Sequence, residues 1–89
     1  MKVMAMSNQA VEIKLSEPIE HDGKKVSSLK LRRPIVADML AAQKVSTNEP
    51  ERELNLIAVL TGLPRAAVEQ LDMRDCMALQ RQLAQFMKP

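Results

Sequence analysis

Residues 54–60, LNLIAVL, are apolar at six of seven positions. A helix through them has almost no face to give to water, so it has to lie among other elements. Its ends are legible. Asn48 is a good N-cap, Glu51 follows three residues later as in a capping box, Pro50 falls in the first turn, and Gly62 suits the left-handed C-terminal position. The rest of the chain must wrap this segment, or leave one side of it for a partner.

Upstream, residues 1–9, MKVMAMSNQ, have no sustained period and no cap, and read as a disordered N-terminal segment. Val11, Ile13 and Leu15 then alternate with Glu12, Lys14 and Ser16, the period of a half-buried strand. Residues 17–24, EPIEHDGK, supply Pro18 and the turn pair Asp22-Gly23. A second strand over 25–31 places Leu29 and Leu31 on one face. Val26 is out of phase with them, which predicts a bulge or bend at Ser27-Ser28. Two strands need a covering layer. The spacing predicts a helix over 35–44, with Val36, Met39 and Leu40 on one side, and a polar connector over 45–49. Beyond the central helix come a short helix over 65–71 presenting Ala67, Val68 and Leu71, and a last helix capped by Asp72. The last helix has an apolar stripe of Cys76, Leu79, Leu83, Phe86 and Met87. The order β-β-α-α-α-α predicts an α+β fold, an N-terminal two-stranded β-hairpin followed by a bundle of three to four short helices. It is read as a single domain over 10–87 with 88–89 as a tail.

Composition narrows the chemistry. Eighty-nine residues suffice for one core, whose stability is roughly 5 kcal/mol. Hydrophobic residues are 46% of the chain and aromatic ones 1%, so the core is aliphatic, with seven Met and Phe86 as the only ring. The net charge of +2 does not by itself imply a polyanion partner, although residues 1–33 carry seven Lys and Arg against four acids, and residues 34–89 six against seven. Cys76 stands alone, which rules out an intrachain disulfide and a cysteine-rich metal site. No apolar run approaches the ~20 residues that span a bilayer, and the start lacks a signal peptide's apolar region. The chain is expected to be soluble, cytoplasmic and without a membrane partner.

No constellation in the sequence points to catalysis, metal or cofactor. His21, beside Glu20 and Asp22, reads as an exposed turn residue, and Cys76 as a small buried hydrophobe with no base near it in sequence. The carboxylates at Glu49, Glu51, Asp72 and Asp75 stand at helix starts, where free N–H groups explain them. Two glycines cannot make a phosphate-cradling loop. Ala58, Gly62 and Val68 have the spacing of a helix-turn-helix, so a small DNA-binding regulator is one alternative. However, residues 65–75 sum to −1 where a phosphate-facing helix should be positive. The basic run Lys24, Lys25, Lys30, Arg32 and Arg33 reads as a solvated face or protected edge, with no aromatic residues to stack bases. Met39, Met73, Met77 and Met87 lie on or beside the apolar stripes. Flexible thioethers suit a core as well as a surface that repacks around apolar partners.

The order of these pieces carries a resemblance over residues 11–87. It rests on the hairpin L-x-x-P-I-x-x-D-G-K from Leu15 to Lys24, L-x-L-R-x-P from Leu29 to Pro34, V-x-D-M-L-x-A-Q-K from Val36 to Lys44, and the L-T-G-L-P corner from Leu60 to Pro64 followed by Val68, Leu71 and Asp72. In these the chain resembles the small tail assembly chaperones of Mu-like and related tailed phages and prophages. The resemblance implies a non-catalytic scaffold that binds the long helical tape-measure protein, keeps it soluble, and assists polymerisation of the tail tube protein. It also implies work in the host bacterial cytoplasm, absence from the mature virion, and a longer form of the same chain made by ribosomal frameshifting. A homo-oligomer, or a self-associating structural protein with no client, is the other reading. The resemblance names no binding residues. From the apolar patterning, those expected to meet a partner, where exposed, are Leu56, Val59, Leu60, Met73, Met77 and Leu83 around the central and last helices.

Overall fold

The structure, a computed structural model, describes residues 10–46 and 48–89. The N-terminal segment expected to be disordered lies outside the described residues. Strand β1 (Ala10–His21) and strand β2 (Lys24–Arg32) form an antiparallel hairpin. They are joined by Asp22 at φ 55 and Gly23 at φ 73, the left-handed pair that matches the twist of a two-residue hairpin loop.

Strand β1 runs through residues 17–21, which the sequence suggested were turn. The register breaks between the Lys14–Ser28 and Ile19–Val26 pairs, so Leu15, Ser16, Glu17 and Pro18 stand opposite the single residue Ser27. The irregularity expected at Ser27-Ser28 is present, but the extra chain belongs to β1. Ile13, Leu15 and Ile19 stay on the inner side of β1 while β2 changes phase between Val26 and Leu29. Pro18, which has no N–H to donate, sits in this interruption. Two of the backbone N–H groups there are claimed from elsewhere: Ser16 N and Glu17 N donate to Asp75 Oδ1 and Oδ2 at 2.8 and 3.2 Å.

Among the described residues four helices follow: α1 (Val36–Val45), α2 (Glu49–Thr61), α3 (Arg65–Val68) and α4 (Met73–Phe86). The α+β arrangement is the one the pattern predicted. In α2, Asn48 Oδ1 accepts from Glu51 N at 3.4 Å, and Gly62, at φ 80, closes the helix by donating from its N–H to Ala58 O at 2.9 Å. Helix α3 is a single turn, shorter than the helix expected over 65–71, because after Glu69 the bonds tighten to three residues back, Gln70 N to Ala67 O and Leu71 N to Val68 O at 3.1 Å, and the chain reaches Leu71 through turns. Asp72 Oδ2 accepts from Arg74 N at 2.9 Å and starts α4.

Helix α2 packs on β2, α4 on β1, and α1 on the outer side of α2. Leu31, Ile57 and Leu79 are completely enclosed between these layers, surrounded by Leu15, Ile19, Leu29, Leu60, Ala67, Val68, Cys76 and Leu83. The central helix is covered by the sheet on one side and by α1 on the other, which explains its nearly continuous apolar run.

Candidate partner-binding surface

The outermost helix sits with its large apolar residues turned away from the core. In α1 the buried residues are Asp38 and Ala42, one turn apart, whereas Val36 is 70% exposed, Leu40 52% and Met39 45%. The sequence grouped Val36, Met39 and Leu40 on one side, and that side faces outward. Polar anchors set this roll. Arg32 Nη1 and Nη2 donate to Asp38 Oδ2 and Oδ1 at 3.0 and 2.9 Å, a two-pronged pair, and Ile35 N donates to Asp38 Oδ2 at 2.8 Å across the start of the helix. The guanidinium holds the Asp38 carboxyl below its ordinary value against the opposing effect of burial, with help from the Ile35 amide. At the other end, buried Asn55 Nδ2 donates to Ala42 O at 3.4 Å, and Arg65 Nη1 donates to Asn55 Oδ1 at 2.7 Å, tying α1, α2 and α3 together. Asp38 is satisfied only when it faces Arg32, and this sends its apolar neighbours outward.

Between α1 and α2 lies an open groove of about 480 Å3, in the range of ~300–1,000 Å3 typical of binding clefts. One wall is Ile35, Val36, Met39 and Ala42; the other is Glu49, Arg52, Glu53 and Leu56, residues at helical spacing along α2. Pro34 and Met87 complete the lining. It is apolar with a charged rim.

The six residues expected to meet a partner fall in three places. Leu56 is half-buried and lines the groove, while Val59, Met73 and Met77 are exposed outside it. Leu60 and Leu83 are core residues and offer no surface in this conformation. Met39 and Met87 were singled out as suited to core or surface, but no α1 residue stands among those six, because residues 36–45 are apolar on nearly every side and spacing alone does not say which side faces in. The usable signal was Asp38, an acid early in the helix and six residues after Arg32.

Other candidates resolve into structural roles. Arg65, at the start of the would-be recognition helix, is held by Glu51 at 3.0 Å and Glu69 at 3.1 Å, and Ala67 and Val68 are buried. A one-turn helix so engaged has little to offer a DNA groove. The hairpin's cations are interleaved with acids: Lys30 pairs across the sheet with Glu12 and Lys25 with Glu20, Arg32 is committed to Asp38, and the Arg33 guanidinium lies 5.6 Å from the Phe86 ring centroid. His21 lies 3.6 Å from Asp22 at the hairpin turn. Cys76 is buried, and burial, followed by the nearby Glu53 carboxylate, pushes its thiol above the usual value. Among the described residues no three His, Cys, Asp or Glu side chains are grouped to hold a metal ion, and no helix is long and apolar enough to cross a membrane.

A hairpin backed by helices, with an apolar groove on its outermost layer, defines a small α+β module. Residues 12–88 match the model of the family described as phage tail assembly chaperone proteins, E, or 41 or 14, and the chain belongs to that family. No curated protein and no solved structure matches it.

Proposed function

We propose that the chain binds the tape-measure protein, holding an apolar helical segment of it in the groove between α1 and α2. The client stays soluble while tail tube protein assembles around it. One observation carries the reading: α1 turns Val36, Met39 and Leu40 to the outside, beside a groove formed with Leu56 and Met87. A family of assembly chaperones needs an apolar surface that is open before the client arrives, and soluble proteins seldom keep such a surface without use. In this reading residues 10–87 act as one non-catalytic domain in the host cytoplasm, absent from the mature virion, with the tail tube protein and a frameshifted longer form as further partners.

The test is co-expression with the tape-measure protein of the same phage or prophage gene cluster, followed by size-exclusion chromatography. Co-elution with a more soluble client is the expected result, lost on Met39→Glu while the variant keeps its melting temperature. A client that is soluble alone and elutes separately would refute the mechanism for this chain. A concentration-dependent homo-oligomer that Met39→Glu dissolves would instead assign the α1 surface to self-association.

A further inference from the structure

The two walls of the groove differ. The α1 wall is entirely apolar, whereas the α2 wall carries Glu49, Arg52 and Glu53 ahead of Leu56. Arg52 Nη2 lies 3.5 Å from Glu49 Oε2, so these charges answer each other. Glu53 has no such partner. It is half-buried, its hydrogen bond comes from the neutral Gln80 Nε2 at 3.4 Å, and among the described residues no cationic nitrogen lies within 4.0 Å of it. One Arg and two Glu leave the lining at −1, on a chain whose net charge is +2, so the groove attracts a cation that the molecule as a whole does not.

A carboxylate on the wall of an apolar groove is tolerable while water reaches it. A partner that fills the groove removes that water, and the charge then requires a counter-charge from the partner. Glu53 and Leu56 are three residues apart, which puts the anion and an apolar contact one turn from each other along α2. We infer that the segment received by the groove is an amphipathic helix carrying a Lys or Arg one turn from an apolar anchor, with the cation meeting Glu53 and the anchor seated between Leu56 and Met39. This rests on the groove being the tape-measure site. It adds a charge requirement that selects among the many apolar stretches of a long helical client.

The test uses the full chain and peptides of about 20 residues, roughly 30 Å as helices, tiling the tape-measure protein, with affinity read by fluorescence anisotropy at low and high salt. The expected binders carry a Lys or Arg three or four residues from an apolar residue. Glu53→Gln, which keeps the side chain's shape, weakens them about tenfold, between the effects of an exposed rim pair and a buried one. Changing the peptide's cation to Gln weakens binding equally, the two changes together cost no more than either alone, and the salt dependence shrinks with each. Binding that Met39→Glu abolishes but Glu53→Gln leaves unchanged would overturn the charge requirement and leave the groove standing. Binding that Met39→Glu leaves unchanged, or no binding by any peptide, would overturn both. A dimer of the chain that Glu53→Gln weakens would also overturn the assignment to a tail protein, since α1 of a second copy places Lys44 one turn beyond Leu40.

Discussion

Asp75 is the joint between the two halves of the fold, and replacing it with Asn tests how the interrupted strand is held. Its carboxylate comes from the first turn of α4 and takes Ser16 N at 2.8 Å and Glu17 N at 3.2 Å, amides that face no strand partner where the register breaks. Asn keeps one acceptor oxygen but points an NH2 group at the second amide, so one charge-assisted hydrogen bond is lost and the other weakened. A hydrogen bond to a charged group contributes about 1.5–3 kcal/mol, and an acid in the first turn of a helix adds roughly 0.3–1 kcal/mol. The sum puts Asp75→Asn at about 2–4 kcal/mol, a large part of the margin of a small domain. In a thermal melt followed by circular dichroism, that becomes a fall of roughly 10–30 °C. The effect has a pH signature. The Ser16 amide, assisted by that of Glu17, holds the folded Asp75 carboxyl below its ordinary value of 3.8. The stabilisation is therefore fully present above the ordinary value and is lost as pH falls through the lower folded one. The variant should lose less stability than the wild type as pH falls from the ordinary value through the lower folded one. Equal melting temperatures at neutral pH, with superimposable acid limbs, would refute this account of the joint.

Other substitutions probe separate parts of the fold. Arg32→Gln leaves the buried Asp38 carboxylate without its guanidinium, and should cost about 2–4 kcal/mol in urea unfolding while raising the mobility of α1 in hydrogen exchange. Gly62→Ala meets no atom within 4 Å but is strained at φ +80, so its cost should be about 1–2 kcal/mol, from backbone strain without a clash. Leu60→Ala and Leu83→Ala should each cost about 2–5 kcal/mol, whereas Val36→Ser, on the outer face of α1, should stay within about 0.5 kcal/mol in the same measurement. Met77→Glu should leave the fold intact. Retained client binding in that variant, with binding lost in Met39→Glu, would locate the client on α1 and away from the exposed face of α4.

Local rules determined much of this protein from its sequence alone. The caps at Asn48 and Asp72, the left-handed Gly62 and the Asp22-Gly23 turn depend on bonds and dihedral angles within a few residues. The burial of Ile57 and Leu79 follows from apolar spacing long enough to leave no other face. The order of these pieces was also enough to suggest the family to which the chain belongs. Tertiary structure decided what depends on partners distant in the chain. The interruption in β1 is held by Asp75, nearly sixty residues away, and residues 17–21, with their proline and acids, look like turn without it. Helix α1 is apolar on so many sides that its pattern selects no inward face; the Arg32–Asp38 pair and Asn55 select it, turning Val36, Met39 and Leu40 outward. Leu60 and Leu83 share the composition of a docking surface with Met73 and Met77, and only the packing of α2 and α4 against the hairpin separates core from surface. An apolar residue contributes the same free energy of burial against its own chain or against a client, so spacing cannot tell the two apart.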